Sequence, residues 1–416
     1  MRLILWHGYL LAGTGSNIYT QHIARAWSQL GHDVRVMCQE PHPERYDLGD
    51  GVRIVRPEIG PLLPVFVLDR YEGAEARRVA DFTADELGRY LEANTASLAA
   101  ELGREPADLV LANHAIMGGP VAAGGCAPTG TPYAIKVHGS ELEYAISGDP
   151  VLAGLAREAL DTAVAVYVGS NHIGRRTREV VGPGAYEARI RVVPPGVELE
   201  LFSPEGGSRE RLAELLGRPH EQGSPERQPD PDAWSRLAPV GRFVLFFGKL
   251  IRQKGVQTLL AAWDRVAPAH PGVFLVVVGF GGERAELEAL AGERVVFTGA
   301  MDHDELAALI PLADAVVVPS VLAEAFGMVA AEAAACGVVP IVSDHSGLAE
   351  VAAVLGPAAR TFEGSEGSAE ELAGLLSELL AMSAAERRAL GAIGRQRVAE
   401  RWSWRAIAGS LLDVVR

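Results

Sequence analysis

The chain has 416 residues, 48% hydrophobic and 22% charged, a balance that excludes an intrinsically disordered protein. Its net charge is −15 and neither half is basic, which argues against nucleic acid as a partner. No apolar run approaches the ~20 residues of a bilayer span, and the first residues lack the features of a signal peptide, so we expect a cytoplasmic protein without a transmembrane segment.

The N-terminal half alternates short apolar strands with helical stretches. Strand-like runs occupy residues 3–6, 34–38, 109–112, 133–137, 163–168 and 190–193. A glycine-rich turn, LLAGTGSN, follows the first run, at the end of the strand where doubly wound folds bind their ligands. We predict a Rossmann-like domain over residues 1–204.

The segment KVHGSE, residues 136–141, stands at the end of one of these strands. A lone histidine is more often structural than functional. At the end of a strand and followed by glycine, however, His138 is well placed to face a ligand site.

Residues 205–240 are rich in Gly, Pro and charge and interrupt the alternation, which predicts a linker or insertion. A second series of strands then occupies residues 243–247, 274–278, 294–298, 315–318 and 338–342. We predict a second Rossmann-like domain over residues 241–398, because the chain exceeds the roughly 250–300 residues that one core supports. Residues 399–416 read as a C-terminal helix, and their pattern does not decide which domain it packs against.

The segment GKLIRQKG, residues 248–255, lies between a strand and a helix predicted to begin near Val256. The chain contains only three lysines, and two of them, Lys249 and Lys254, lie here. Two ammonium groups in a glycine-bounded loop can bind a diphosphate, whose charge grows when it acts as a leaving group.

The segment EAFGMVAAE, residues 324–332, follows the strand VVVPS and begins a helix near Gly327. The first turn of a helix carries unpaired N–H groups that attract anions. Glu324 in the loop and Glu332 in the second turn can accept hydrogen bonds from two sets of sugar hydroxyls. Taken singly, each would read as a surface glutamate on an alanine-rich helix.

These segments resemble the signature of glycosyltransferase family 4, which comprises retaining enzymes with the GT-B fold. The resemblance rests on EAFGMVAAEAAACG ahead of SDHSGLAEV, on the lysine segment, on HGS at residues 138–140, and on the shorter elements VGS, VVPPGVELELFSP, VVGFG and VVFTG. It implies an α/β architecture of two Rossmann-like domains facing each other across a deep cleft. It also implies transfer of a hexose-type sugar from a UDP-, GDP- or ADP-sugar to an acceptor hydroxyl or other nucleophile.

The resemblance further implies roles for individual residues. Glu324 would bind the donor sugar and Glu332 the ribose, while Lys249, standing where the family usually has Arg, and Lys254 would bind the diphosphate. The other implied donor contacts are Gly15 at the phosphates, the backbone of Val296 and Phe297 at the nucleobase, and the amides of Phe326, Gly327, Met328 and Val329 at the sugar and diphosphate.

The implied catalytic residues are His138, Lys249, Lys254 and Glu324, and Lys136 and Glu141 are candidates to meet a small-molecule, glycan or lipid acceptor. We expect no cofactor besides the donor substrate, and no metal. The three cysteines read as buried thiols. Of the two D-x-D sequences, one lies in the predicted linker, and the second, Asp302 to Asp304, looks like a helix cap.

Other functions remain open at this stage. A nucleotide-sugar epimerase or hydrolase, or a non-catalytic nucleotide-sugar binding protein, would have the same fold. A nicotinamide oxidoreductase is less well supported, because Ile18 replaces the third glycine of G-x-G-x-x-G, although Asp33 lies near the distance of a ribose carboxylate. The sequence specifies neither the nucleobase, the sugar, the acceptor nor the oligomeric state.

Overall fold

A computed structural model describes residues 1–11, 15–60, 62–66, 75–218, 230 and 232–415. The chain forms two compact units, Met1–Gly196 together with Trp404–Arg416, and Val197–Ser403. Within the described residues, each unit is built on a parallel sheet of its own, with seven strands in the first unit and six in the second.

The first unit contains the βα alternation that the sequence predicts. Its strands are β1 (Arg2–Trp6), β2 (Asp33–Met37), β3 (Arg53–Val55), β4 (Leu62–Val65), β5 (Glu75–Arg78), β6 (Leu109–Asn113), β7 (Tyr133–Val137), β8 (Ala165–Val168) and β9 (Ile190–Val192). Its first helices are α1 (Gly15–Gln29), α2 (Ala84–Arg104), α3 (Gly119–Cys126), α4 (Pro150–Thr162) and α5 (Asn171–Val181).

The large sheet of this unit has the order β3-β2-β1-β6-β7-β8-β9, and β4 pairs with β5 in a separate two-stranded sheet. Strands β6 and β7 are buried along their whole length, as expected for a parallel sheet covered on both faces. The strand order grows outward from β1 in both directions. The point where it reverses therefore lies between β1 and β6, where doubly wound sheets bind ligands at the carboxyl ends of their strands.

The second unit repeats this plan. Its strands are β10 (Arg242–Phe247), β11 (Val273–Val278), β12 (Val295–Gly299), β13 (Ala315–Val318), β14 (Pro340–Ser343) and β15 (Arg360–Phe362). Its helices are α6 (Arg209–Leu216), α7 (Ala233–Leu237), α8 (Val256–Val266), α9 (Arg284–Leu290), α10 (His303–Leu309), α11 (Met328–Ala335), α12 (Ser346–Leu355), α13 (Ala369–Ala381) and α14 (Ala384–Trp402). The sheet order is β12-β11-β10-β13-β14-β15, so its reversal lies between β10 and β13.

Each strand that we predicted from the apolar pattern appears within two residues of its expected bounds, whereas β3, β4, β5 and β15 were not predicted. These four strands have only three or four residues, too few for a periodic signal. The helix predicted near Val256 begins there, and the helix predicted near Gly327 begins at Met328.

The segment predicted as a linker, residues 205–240, is more structured than expected where it is described. Helices α6 and α7 bury Leu212, Leu215 and Leu237 in the core of the second unit. Leu212 and Leu215 lie three residues apart on α6, and Leu237 lies on α7. Both helices are short and have Gly, Pro and charged neighbours, so the apolar pattern was too brief to predict them. Residues 219–229 and 231 of this segment lie outside the described residues.

The C-terminal residues divide between the two units. Helix α14 ends at Trp402 within the second unit, and α15 (Trp404–Ser410) belongs to the first unit. The indole N–H of Trp27, on α1, donates to the carbonyl oxygen of Ala408 at 3.0 Å. Residues 404–416 therefore complete the core of the first unit, so the unit boundaries fall at 196 and 403, where we had expected 204 and 398.

Two smaller expectations concern the described residues as a whole. All three cysteines are free and buried, as predicted. A search of the described helices finds none long and apolar enough to cross a membrane.

Candidate functional site

Two loops of the second unit follow neighbouring strands at the point where the sheet order reverses. The lysine loop, residues 248–255, follows β10, and the glutamate loop, residues 319–327, follows β13. Because parallel strands end at the same edge of a sheet, the two loops lie side by side. This pairing of β10 with β13 brings together the two segments that carried most of the chemistry in the sequence.

Gly255 fixes the close approach of these loops. Its φ is +69°, and a Cβ atom here would lie 1.8 Å from the carbonyl oxygen of Pro319. The amide of Val321 also donates to the carbonyl oxygen of Gln253 at 2.9 Å. A side chain at position 255 would therefore separate the loops as well as strain the backbone.

Lys254 and Glu324 form an ion pair between the loops. The Lys254 ammonium donates to Glu324 Oε1, and Ser320 Oγ donates to the same oxygen at 2.6 Å. The two charged side chains are 30% and 22% exposed, so solvent and ligands can reach them. An ammonium has three donors and a carboxylate has two oxygens, so both groups keep capacity for a ligand.

His345 and Ser346, at the start of α12, hold the glutamate loop from the other side. His345 Nε2 lies 2.8 Å from the carbonyl oxygen of Ser320, and Ser346 Oγ accepts from the amide of Glu324 at 2.9 Å. The side chains of His345 and Ser346 are themselves 3.0 Å apart. Sequence reasoning quoted SDHSGLAEV only as a resemblance and missed these two residues, although they lie two and three positions beyond the end of β14.

Helix α11 presents unpaired amide groups beside the ion pair. It begins after Gly327, whose φ is +117°, and no side chain caps it. The amides of Ala330 and Ala331 bond to the carbonyl oxygen of Gly327 at 3.1 and 3.2 Å. In the part of the chain described, no acceptor is found for the amides of Met328 and Val329, and the anion-binding role of the amides of Phe326 to Val329 remains a prediction.

The remaining predicted donor residues differ in exposure. Glu332 on α11 is only 7% exposed, and burial raises its pKa to about 8. Lys249 is exposed at the start of the lysine loop, and Phe326 is buried. The donor-binding roles of all three residues remain predictions.

The end of β12 has an irregular backbone where a nucleobase contact was predicted. Val277 pairs with Phe297 but Val278 pairs with Gly299, so Thr298 forms a bulge. The carbonyl oxygen of Phe297 accepts from Arg236 Nη1 at 2.9 Å, and Arg236 is paired with Asp230 at 2.6 Å. Val296 is half-buried and Phe297 is buried, so a base contact here would use the backbone, as the prediction states.

In the first unit, the predicted site residues of the opening turn are only partly described. Gly15 is the first residue of α1, whereas residues 12–14 of the glycine-rich turn lie outside the described residues. Asp33 begins β2 and lies near Arg53, so it is at the opposite end of the strand from a ribose carboxylate. The carboxylate beyond the other end of β2 is Glu40, which accepts from the amide of Leu11 at 2.9 Å. The dinucleotide interpretation therefore loses its proposed acid.

Three histidines and an asparagine, His7, Asn113, His114 and His138, meet at the carboxyl ends of β1, β6 and β7. We call this group the histidine cluster. The rings of His114 and His138 have centroids 4.8 Å apart, and those of His7 and His114 are 6.4 Å apart. His114 has a φ of +72°, a conformation that non-glycine residues seldom adopt and that is concentrated at functional sites. Sequence reasoning found only His138, although His7 and His114 also directly follow strands.

Lys136 and Glu141 are not available to an acceptor, contrary to our expectation. Lys136 is 2% exposed and donates to the carbonyl oxygen of Val193. Glu141 is fully buried and accepts backbone N–H bonds from Ala115, His138 and Gly139 at 3.3, 3.0 and 3.0 Å. Glu141 therefore holds the backbone around His138, and Lys136 holds the chain just beyond β9. The sequence placed both residues near the end of a strand but could not reveal which way their long side chains turn.

The electrostatics of the cluster favour a neutral His7, a neutral His138 and a charged Glu141. Burial, followed by the neighbouring His114, lowers the pKa of His7 to about 3. Burial also lowers the pKa of Lys136 to about 7. Burial by itself would raise the pKa of Glu141, but His114 and the backbone donors bring it below its ordinary value.

Two further expectations concern metals. In the described ranges, no group of three or more His, Cys, Asp or Glu residues is arranged to hold a metal ion. Asp302 caps α10 in a capping box with Glu305, as predicted for the second D-x-D sequence. Asp230, from the first one, pairs with Arg236 and Arg284.

Comparisons with known proteins agree with this geometry. Residues 14–196 match the family model described as Glycosyl transferase 4-like domain, and residues 235–397 match the model described as Glycosyl transferases group 1. The first match includes Asn113, His114 and His138, and the second includes the lysine loop and the glutamate loop.

Individual relatives match over most of the chain. The GDP-mannose-dependent alpha-(1-6)-phosphatidylinositol monomannoside mannosyltransferase of Mycobacterium tuberculosis is 30% identical over 68% of this chain and 68% of its own length. D-inositol 3-phosphate glycosyltransferase 1 of Catenulispora acidiphila is 30% identical over 80% of this chain and 75% of its own. The solved structure of sucrose-phosphate synthase from Thermosynechococcus elongatus has a TM-score of 0.68 at 25% identity, covering 99% of this chain and 97% of that one.

Proposed function

Because the chain belongs to glycosyltransferase family 4 and has the GT-B fold, we propose that it transfers a hexose from a nucleoside-diphosphate sugar with retention of anomeric configuration. The observation that carries this proposal is the Lys254–Glu324 pair beside the free amides of α11. The Lys254 ammonium and the α11 amides suit a diphosphate, and the Glu324 carboxylate suits sugar hydroxyls. A nucleoside-diphosphate sugar contains both a diphosphate and a sugar.

The proposed donor site uses the spare capacity of the ion pair. Glu324 keeps Oε2 for a sugar hydroxyl while Oε1 stays bonded to Lys254 and Ser320. The ammonium of Lys254 and that of the exposed Lys249 bind the diphosphate, and the amides of Met328 and Val329 add two uncharged donors. Glu332, kept protonated by burial, can both donate to and accept from the ribose hydroxyls.

The proposed chemistry needs no nucleophilic side chain. As the bond from the anomeric carbon to the diphosphate breaks, negative charge grows on the leaving oxygen, and the two lysines stabilise it. The acceptor hydroxyl forms the new glycosidic bond on the same face of the sugar. Its proton passes to the departing diphosphate, so the products are a retained glycoside and a nucleoside diphosphate. No metal or cofactor is part of this proposal.

The relatives suggest which substrates to test first. One relative is named for GDP-mannose and a phosphatidylinositol mannoside, and another for D-inositol 3-phosphate. We therefore propose a GDP- or UDP-hexose as donor and an inositol-containing acceptor. The acceptor carries hydroxyls on a ring, and a neutral His138 can bind one of them.

A thermal-shift screen of GDP, UDP and ADP tests the donor site. A nucleotide at 100 times its dissociation constant stabilises the folded protein by about 2.7 kcal/mol, so the preferred base will give the largest shift. The matching sugar nucleotide is then incubated with inositol, inositol phosphate and phosphatidylinositol, and anomeric configuration is read by NMR. The absence of any shift with all three nucleotides would refute the donor site. Free sugar or an epimer formed from donor alone would favour a hydrolase or epimerase.

A further inference from the structure

A chain of hydrogen bonds in the first unit runs from α1 to His138. His7 Nε2 lies 2.9 Å from Asn17 Oδ1, and His7 Nδ1 lies 3.3 Å from Asn113 Nδ2. Asn113 Oδ1 in turn lies 2.7 Å from His138 Nε2. We infer that Asn113 and His7 are positioning residues, which fix the proton of His138 on Nε2 and leave a lone pair on its Nδ1.

Thr20 sets the orientation of the Asn113 amide. The single hydroxyl hydrogen of Thr20 goes to the carbonyl oxygen of Ser16 at 2.8 Å. Thr20 Oγ1 must therefore accept from Asn113, which lies 3.1 Å away, and only the amide nitrogen can donate. The amide oxygen of Asn113 then faces His138, and an oxygen acceptor requires a proton on His138 Nε2.

His7 closes the other end of the chain consistently. Asn113 Nδ2 donates to His7 Nδ1, so that nitrogen carries a lone pair, and the proton of His7 is on Nε2. This proton points to Asn17 Oδ1. Every link thus has one donor and one acceptor, with all partners on α1 and the ends of β1, β6 and β7. A reversed Asn113 amide would oppose two acceptors at Thr20, the amide oxygen and Thr20 Oγ1.

The groups around His138 keep it uncharged. The groups that face His138 are Asn113 and His114 at the end of β6, His7 after β1 and Lys136 on β7. Burial first, and then the basic side chains of His114, Lys136 and His7, lower the pKa of His138 well below its ordinary value. Glu141, the nearby acid, accepts from the backbone amide of His138 and pairs with His114 at 3.2 Å. The Tyr19 ring, on α1, packs against the imidazole in a T-shaped arrangement, with ring centroids 5.2 Å apart.

A neutral imidazole with a free Nδ1 is a hydrogen-bond acceptor, and an imidazolium is not. His138 is half-buried, whereas His7 and His114 are fully buried, so His138 is the histidine of the cluster that a sugar hydroxyl can approach. This consequence rests on the proposed function. The hydroxyl belongs either to the transferred hexose or to the acceptor, and in both cases it donates to His138 Nδ1.

Histidine NMR of the intact protein tests the tautomer without requiring activity. In protein labelled with ¹⁵N-histidine, the His138 signals are identified by their loss in His138→Gln. We expect the pattern of a neutral ring protonated on Nε2 at pH 7. A ring protonated on Nδ1, or an imidazolium, overturns the inference whether or not the protein transfers sugar.

Asn113→Asp links the tautomer to catalysis. A carboxylate facing His138 Nε2 favours the imidazolium, so the variant should lose kcat/KM by about tenfold for each pH unit below the raised pKa. The wild-type profile should be flat over the same range. Asn94→Asp is the matched control, because Asn94 is also fully buried but its amide nitrogen donates within its own helix, α2, to the carbonyl oxygen of Tyr90 at 3.0 Å.

The outcomes separate the inference from its premise. If the donor KM of Asn113→Asp rises as pH falls, the hydroxyl bound by His138 belongs to the transferred sugar. If the acceptor KM rises instead, the hydroxyl belongs to the acceptor. A flat profile for Asn113→Asp, or the same change in Asn94→Asp, overturns the role of Asn113. If Asn113→Asp does not fold, the wild-type tautomer decides alone. The expected tautomer in a protein without transfer activity would sink the proposed function but leave the positioning role standing.

Discussion

The ammonium of Lys254 donates a hydrogen bond to Glu324 Oε1, joining two residues that are 70 positions apart in the chain. Lys254 ends the loop after β10, and Glu324 lies in the loop after β13, so the bond depends on the pairing of these two strands. The cation that we propose for the diphosphate and the carboxylate that we propose for the sugar thus orient each other without a ligand, which would reduce the reorganisation that donor binding requires.

Lys254→Met should abolish most transfer without unfolding the protein. A lost charge-assisted hydrogen bond to the diphosphate costs about 1.5–3 kcal/mol, which corresponds to about a 10- to 150-fold fall in kcat/KM. The pair is partly exposed, so unfolding free energy should change by no more than about 1 kcal/mol. Steady-state kinetics and urea denaturation measure the two effects.

Arg252→Met is the matched control for this charge. Arg252 lies in the same loop, is 63% exposed and pairs with Glu366 at 2.6 Å. Its loss should leave kcat/KM within about twofold of wild type, because the exposed guanidinium is paired with Glu366 and screened by solvent. Equal losses in both variants would mean that general positive charge, and not Lys254, binds the donor.

Glu332→Gln should change how stability depends on pH. The pKa of Glu332 is about 8 in the folded protein, above its ordinary value of 4.5, so the folded state holds a proton that the unfolded state releases. This contribution is fully present below about pH 4.5 and is lost as pH rises through 8. Urea denaturation at pH 6 and pH 9 should show a larger fall for wild type than for the glutamine variant. Parallel falls in the two proteins would refute a buried, protonated Glu332.

His345→Ala should weaken the donor site through the glutamate loop. The substitution removes the bond to the carbonyl oxygen of Ser320 and the partner of Ser346, which holds the amide of Glu324. We expect kcat/KM for the donor to fall about tenfold, since net hydrogen bonds of about 1 kcal/mol are lost at two points. His270→Ala, after α8, is a control that should have no effect on the donor. A donor KM and kcat unchanged in His345→Ala would contradict the bracing role.

Gly255→Ala should damage the second unit more than its size suggests. The positive φ costs about 1–3 kcal/mol for a side chain, and the close carbonyl oxygen of Pro319 adds a steric penalty. Gly241→Ala is the control, because a Cβ there meets nothing within 4 Å. We expect a clear drop in melting temperature for the first variant and little change for the second. Similar melting temperatures would show that the loops can separate at no cost.

Glu141→Gln should act on stability and not on acceptor recognition. The buried carboxylate accepts three backbone N–H bonds, and replacing one oxygen by NH₂ opposes a donor to at least one of them. The cost should be about 3 kcal/mol of unfolding free energy. The acceptor KM measured below the melting range should stay near the wild-type value. A selective rise in that KM with unchanged stability would restore the acceptor role that the sequence suggested.

Much of the second unit was predictable because its signals are local. The sequence KLIRQKG between a strand and a helix predicted where Lys254 lies, and EAFGMVAAE predicted the start of α11. Neither segment predicted that Glu332 is buried. The capping box of α10 could be predicted because it involves only Asp302 and Glu305, three residues apart. Such features depend on residues a few positions apart, where spacing specifies geometry.

By itself, the sequence determined the strand–loop–helix units, the loops that carry Lys254 and Glu324, and the position of His138 at a strand end. The tertiary structure decided which strands are neighbours, and therefore that Lys254 bonds Glu324 and that Asn113 stands between His7 and His138. It also decided that Lys136 and Glu141 turn inward. The physical reason is that apolar periodicity records which faces are buried, whereas the lateral order of parallel strands and the direction of a long side chain arise from contacts distant in the chain.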